Sequence, residues 1–126
     1  MVSITPGLER TFEKTAEPAE SAAALGSGGL EVFSTPSLVA LFEVAAKGLV
    51  DPLLPPGQST VGIEIQVQHL KATRIGRKVR CTARVTGVDG RRIRFTGEMW
   101  DETGRIGAGS HTRYVVTDAE FMKRLD

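Results

Sequence analysis

Downstream of Gln58 the chain alternates apolar and polar residues with a period of two. Val61, Ile63, Ile65 and Val67 alternate with Thr60, Gly62, Glu64, Gln66 and Gln68, which predicts a strand with one packed and one wet face. Val79, Cys81, Ala83 and Val85 repeat the pattern against Lys78, Arg80, Thr82, Arg84 and Thr86. The corner Val88-Asp89-Gly90-Arg91 carries the two-residue Asp-Gly hairpin signal. Ile93, Phe95 and Met99 mark the apolar face of a strand reaching Asp101, and Glu102-Thr103-Gly104 turns the chain into a last strand from Arg105 to Val116. Asp118 to Leu125 fits a short closing helix.

The first half reads differently. Leu8 to Thr15 is compatible with a strand or a weak helix, and a strand is the better reading. Glu17 to Gly29 is rich in Ala, Gly and Ser, with a short helical turn expected over Ala19 to Leu25 before Gly26-Ser27-Gly28-Gly29 breaks it. Ser34-Thr35-Pro36 then gives a helix start, with the Thr35 hydroxyl at the N-cap and Pro36 at the first helical position. The helix is expected from Pro36 to Gly48, ended by the glycine and by Pro52, Pro55 and Pro56. From Leu38 to Ala46 only Glu43 is polar, so the helix should be covered on most sides. The expected architecture is α+β, a long core helix wrapped by a mostly antiparallel five-stranded sheet. A single such layer leaves sheet edges to protect, which points to at least a homodimer.

A length of 126 residues suits one domain, taken as 1–126. With 40% hydrophobic and 25% charged residues the chain is neither a disordered tail nor a membrane protein. A net charge of +1 gives no general attraction to nucleic acid, so any phosphate recognition is local. Cys81 is the sole cysteine, which rules out an intrachain disulfide and a thiolate zinc site, and no metal is expected. No signal-peptide pattern and no run of roughly 18 apolar residues is present, so a cytoplasmic location is expected.

Candidate chemistry begins with Glu43. It either pairs with Lys47 at i+4 on an exposed stripe or faces a cleft, where desolvation tunes it as general base or nucleophile. His69 shares the odd parity of Val61 to Val67 and should point at the helix, as a satisfied core histidine or as an acid/base group. Thr35 caps the helix by default, and a hydroxyl at a helix N-terminus also suits an oxyanion or an acyl carbonyl. Lys71, Arg74, Arg77 and Lys78 fall within eight positions after His69; they form a solvated turn or, beside an acyl-transfer site, a phosphate contact. His111, on the same face as Arg113 and Val115, is read as structural. No Gly-x-Ser-x-Gly elbow, P-loop, dinucleotide fingerprint or His-Glu-x-x-His motif occurs.

Three stretches together resemble a known family: Val32-Phe33-Ser34-Thr35-Pro36-Ser37-Leu38-Val39-Ala40-Leu41-Phe42-Glu43, Gly62 in the next strand, and His69-Leu70-Lys71-Ala72-Thr73-Arg74-Ile75-Gly76. They resemble the hotdog-fold acyl-CoA thioesterases, within them the fluoroacetyl-CoA thioesterase-like group. That group spaces a Thr, a Glu and a His by eight and then twenty-six residues, and Thr35, Glu43 and His69 reproduce both intervals. The resemblance implies a hotdog fold, a homodimer or tetramer, and hydrolysis of a small or medium acyl-CoA without metal or separate cofactor. Glu43 would attack the thioester or activate water, His69 would serve as acid/base, and Thr35 would position the carboxylate and polarise the substrate. Gly62 would let the backbone approach the acyl group, Phe33 would also bind substrate, and Arg74, Arg77 and Lys78 would hold the phosphates of coenzyme A. A hotdog hydratase or dehydratase and a non-catalytic acyl-CoA or small-ligand binding module are the alternatives.

Overall fold

The computed structural model describes residues 3–126. Its strands are β1 (Glu9–Thr15), β2 (Gln58–His69), β3 (Lys78–Asp89), β4 (Arg92–Asp101) and β5 (Gly104–Thr117). They form one sheet in the order β1-β3-β4-β5-β2, with every neighbouring pair antiparallel. Helices α1 (Ala22–Leu25) and α3 (Asp118–Lys123) are short, and the long α2 (Thr35–Val50) packs on one face of the sheet against β1, β2, β3 and β4. This is the α+β hotdog arrangement of one helix in a curled sheet.

The helix–sheet contact follows from two periods meeting. Leu38, Leu41, Phe42, Ala45, Ala46 and Val50 recur at helical spacing and are buried. Facing them, Val79, Cys81, Ala83 and Val85 of β3 and Ile93, Phe95 and Met99 of β4 are buried at alternate positions. Each large side chain so covered is worth about 1.5–3 kcal/mol relative to exposure. Cys81 belongs to this packing, since burial pushes its thiol up to about 12 and leaves it an inert small hydrophobe. Gly97 sets the depth of the contact: a Cβ there would lie 2.7 Å from the Phe42 ring.

Several expectations need correction. Ser34, not Thr35, is the N-cap, and its hydroxyl accepts from the Ser37 N–H at 3.1 Å. Thr35 is therefore the first helical residue, and its side chain is free for other work. The helix also runs past Gly48 to Val50 before a 3-10 turn over Asp51–Leu53. Gly48 stays helical with Arg10 Nη1 donating to its carbonyl at 3.3 Å and the Arg10 side chain lying over it. Nor is α2 covered all round, for Ala40 and Val44 are exposed. The β3–β4 loop is Gly90-Arg91, one residue later than the Asp-Gly signal suggests, because Asp89 still pairs with Arg92; only Gly90, at φ 61°, needs the positive φ of its first position.

The largest correction concerns β2. Its register slips between Gly62 and Glu64, a β-bulge that leaves Ile63 unpaired opposite β5. Before the bulge Thr60 and Gly62 face the helix; after it Ile65, Val67 and His69 do. Val61 and Ile63, expected on the packed face, lie instead on the outer face beside Tyr114.

The basic loop after β2 is tied down by Asp101. Its carboxylate accepts from Thr73 Oγ1 at 2.8 Å and, at the β4–β5 turn, from the Thr103 N–H and hydroxyl and the Gly104 N–H. Burial alone would raise the Asp101 pKa, but these donors and the Lys71 charge hold it below the usual 3.8.

Candidate active site

The β2 bulge brings two residues of opposite parity to the same helix. Gly62 and His69 are seven residues apart, so an unbroken strand would turn them to opposite faces. With one extra residue between them both meet α2, His69 near its start and Gly62 near its middle.

At the start of α2 the Thr35 hydroxyl is 2.8 Å from His69 Nδ1. His69 Nε2 is buried and has no hydrogen-bond partner among the described residues. Burial lowers the His69 pKa below 6.5, with the Lys71 backbone pulling the other way, so the imidazole is neutral at pH 7. A neutral ring fixed at one nitrogen and open at the other is the form a proton-transfer group needs.

Glu43 lies two turns further along, about 12 Å down the axis from Thr35. It does not pair with Lys47, which instead lies 3.3 Å from Asp51 at i+4. Its partner is Arg113 of β5, with Nη1 3.5 Å from Oε2. The Arg113 side chain is 7% exposed and that of Glu43 is 43% exposed, so the pair has a closed side and an open one. The open side is a shallow hollow lined by Ala40, Glu43, Val44, Lys47 and Arg113. Gly62 forms the wall opposite: a Cβ there would fall 2.8 Å from Glu43 Oε2. Thr35 thus contacts His69 and not the carboxylate, whose positioning falls to Arg113.

The remaining expected residues are placed as follows. Phe33 is wholly buried in the core, its N–H donating to the Thr73 carbonyl at 2.8 Å, so it supports the wall at the helix start from beneath. Arg74 forms an isolated bridge with Val32 and helps line a groove with Leu30, Glu31 and Ala72. Arg77 is exposed, and its carbonyl accepts from the Ala16 N–H. Lys78 is drawn toward β1, 4.0 Å from Glu13. No group of three or more potential metal-ligating side chains occurs among the described residues.

Arg113 is the residue that reading the sequence passes over. Its burial was legible only from parity, because an arginine near a strand end normally points outward. His111, read as structural, stands beside it: Arg113 Nη1 contacts His111 Nε2 at 3.1 Å, and His111 Nδ1 meets the Glu64 carbonyl at the bulge at 2.7 Å. Since Arg113 only donates, Nε2 accepts and Nδ1 carries the proton. Burial is the main cause that lowers the His111 pKa; the nearby Arg113 charge lowers it too, while the Glu64 carbonyl and the Glu43 charge act upward.

These shifts fix a pH dependence. For both histidines the folded pKa lies below the ordinary 6.5, so on acidification the unfolded chain takes up protons first. Their contribution is intact above about pH 6.5 and is lost as pH falls towards the folded values. Asp101 adds a second loss below its ordinary 3.8. Thermal midpoints measured from pH 8 to 3 are expected to decline in these two windows, and His111→Phe is expected to shrink the first and spare the second; an unchanged first step would remove His111 from the account.

A family model described as fluoroacetyl-CoA-specific thioesterase, FlK, matches residues 17–119. The fluoroacetyl-CoA thioesterase of Streptantibioticus cattleyicolor is 38% identical over 95 residues, 75% of this chain and 68% of that protein. A solved structure of the fluoroacetyl-CoA thioesterase FlK superimposes with a TM-score of 0.92 at 29% identity, covering 98% of this chain and 96% of that one. A crystal structure of a variant of that enzyme in complex with fluoroacetate and CoA gives a TM-score of 0.89 at 31% identity, over 94% of this chain and 99% of that one.

Proposed function

Because the chain belongs to the fluoroacetyl-CoA-specific thioesterase family, we propose that it hydrolyses the thioester of a small or medium acyl-CoA. The observation that carries this reading is the Thr35–His69 hydrogen bond at the start of the helix that also bears Glu43. In the reaction an oxygen forms a bond to the acyl carbon and the carbon–sulfur bond breaks, giving a carboxylate and free coenzyme A. Glu43 attacks the carbonyl or removes a proton from the attacking water. His69, neutral and open at Nε2, takes up a proton released by the attacking water and, as imidazolium, hands it to the departing thiolate. Thr35, at the positive end of α2, holds the His69 ring and polarises the carbonyl. Gly62 lets the acyl group approach the backbone.

Coenzyme A is part of the substrate, and no other cofactor or metal enters the scheme. Its phosphates are assigned to Arg74 and Arg77, with Lys78 beyond them. Self-association as a homodimer, or a tetramer built from it, is supported by the 12-residue edge strand β2 and by the exposed apolar Ala40 and Val44 beside Glu43. A cytoplasmic location is in keeping with a single, buried cysteine; no helix among the described residues is long and apolar enough to cross a membrane.

The test is release of free thiol from a panel of short, medium, branched and aromatic acyl-CoAs, including fluoroacetyl-CoA. Turnover of at least one member is expected. Binding of acyl-CoA with no turnover of any would make the protein a ligand-binding module instead.

A further inference from the structure

Arg113 is held more completely than its ion pair with Glu43 requires. Its Nε donates to Thr60 Oγ1 at 2.7 Å and its Nη2 to the Thr60 carbonyl at 2.9 Å, so one residue of β2 grips two corners of the guanidinium plane. Nη1, the remaining corner, is left for His111 Nε2 and Glu43 Oε2. The Thr60 hydroxyl cannot turn: its proton goes to Asp51 Oδ1 at 2.6 Å, which leaves a lone pair facing Arg113. Asp51 lies eight residues beyond Glu43 at the end of the same helix, so the chain of contacts starts and ends on α2 and closes through β2 and β5. Thr60 and Arg113 are both buried and every polar atom of their side chains is engaged, while Asp51 Oδ2 has no hydrogen bond and only the Lys47 charge at 3.3 Å; buried hydrogen bonds of this kind hold one arrangement.

We propose that Thr60, oriented by Asp51, is a positioning residue that sets the direction of the Glu43 carboxylate through Arg113. A side chain 43% exposed has several rotamers open to it, and the fixed Nη1 selects one, beside the space left by Gly62. The inference rests on the role given to Glu43 above.

The experiment compares wild type, Thr60→Val, Thr60→Ser, Asp51→Ala, Glu43→Gln and the double variant Thr60→Val/Glu43→Gln. The readout is thiol release from acetyl-CoA, fluoroacetyl-CoA and butyryl-CoA, reported for the one turned over fastest. Thr60→Val is expected to lower kcat about tenfold with KM changed less than twofold, Asp51→Ala to lower it about threefold, and Thr60→Ser to return most of the loss. In the Glu43→Gln background Thr60→Val is expected to cost less than twofold, since its effect travels through the carboxylate. The same tenfold loss in both backgrounds would make Thr60 merely structural and overturn the proposal. So would full kcat in Thr60→Val and Asp51→Ala, and that result would leave the thioesterase reading intact provided Glu43→Gln has lost at least about a hundredfold in kcat. Wild-type turnover in Glu43→Gln would instead remove the role of Glu43, and the positioning role with it. Should Thr60→Val fail to fold, Asp51→Ala, alone and with Glu43→Gln, carries the same comparison.

Discussion

Glu43→Gln is expected to lower kcat for thioester hydrolysis by about a hundred- to ten-thousand-fold, the range a positioned acid/base group supplies. The substitution is nearly isosteric and keeps a carbonyl oxygen for Arg113, so the fold and the hollow beside Ala40 and Val44 should survive. Only the negative charge and the ability to take a proton or form an acyl bond are lost. KM should change little, because a group acting on the reacting carbon lowers kcat and kcat/KM together. Steady-state thiol release, with a thermal melt to show that the variant is folded, checks both parts. A folded variant with kcat within threefold of wild type would take Glu43 out of the reaction and leave Thr35 and His69 to carry it.

The second large effect is on stability. Phe42 is 0% exposed. Its ring sits on Gly97 and meets the His111 ring edge-on, with centroids 5.4 Å apart. Phe42→Ala should cost about 3–5 kcal/mol, combining lost burial with an unfilled cavity. For a domain of this size the melting temperature should fall by roughly 10–20 °C. Gly97→Ala addresses the same contact from the other side and should cost about 1–3 kcal/mol by overpacking. Because the two residues touch, the double variant should be less destabilised than the sum of the singles. Chemical denaturation of the four proteins tests this; strict additivity would mean that the Phe42 ring and Gly97 do not share one contact.

Most of the architecture is legible along the chain because two periods differ so clearly. The run from Leu38 to Ala46 cannot be a surface helix with a broad polar face, and Val79 to Val85 cannot be one either. Features that hang on a single residue were not legible. Ser34 and Thr35 are both hydroxyl residues, and the rule that puts proline at the first helical position points to Thr35; the cap fell to Ser34, with Pro36 at the second position, and freed Thr35 for His69. The bulge at Ile63 is silent because Val61, Ile63, Ile65 and Val67 keep alternating through it. An apolar residue on the outer face next to Tyr114 looks no different in sequence from one in the core. The spacing of Thr35, Glu43 and His69 puts them on α2 and β2, and of the three the structure brings Thr35 and His69 into contact. Arg113 stayed hidden because what it pairs with depends on how β5 lies against the helix, a long-range property.

The bulge also marks how this chain tolerates changes in length. Removing Ile63 alone would delete one exposed side chain, break the apolar alternation between Val61 and Ile65, and leave Gly62 and Glu64 consecutive opposite Arg113 and Thr112. The shortened β2 would then pair with β5 without a break in register. With Thr60 and Gly62 kept against Arg113 and Glu43, His69 would still reach Thr35, because Gly62 and His69 would then stand six residues apart and share the helix face. A one-residue gap at Ile63 therefore disturbs the site less than the broken alternation suggests, and homologous chains aligned with that gap elsewhere in β2 would match the wrong faces over the stretch between.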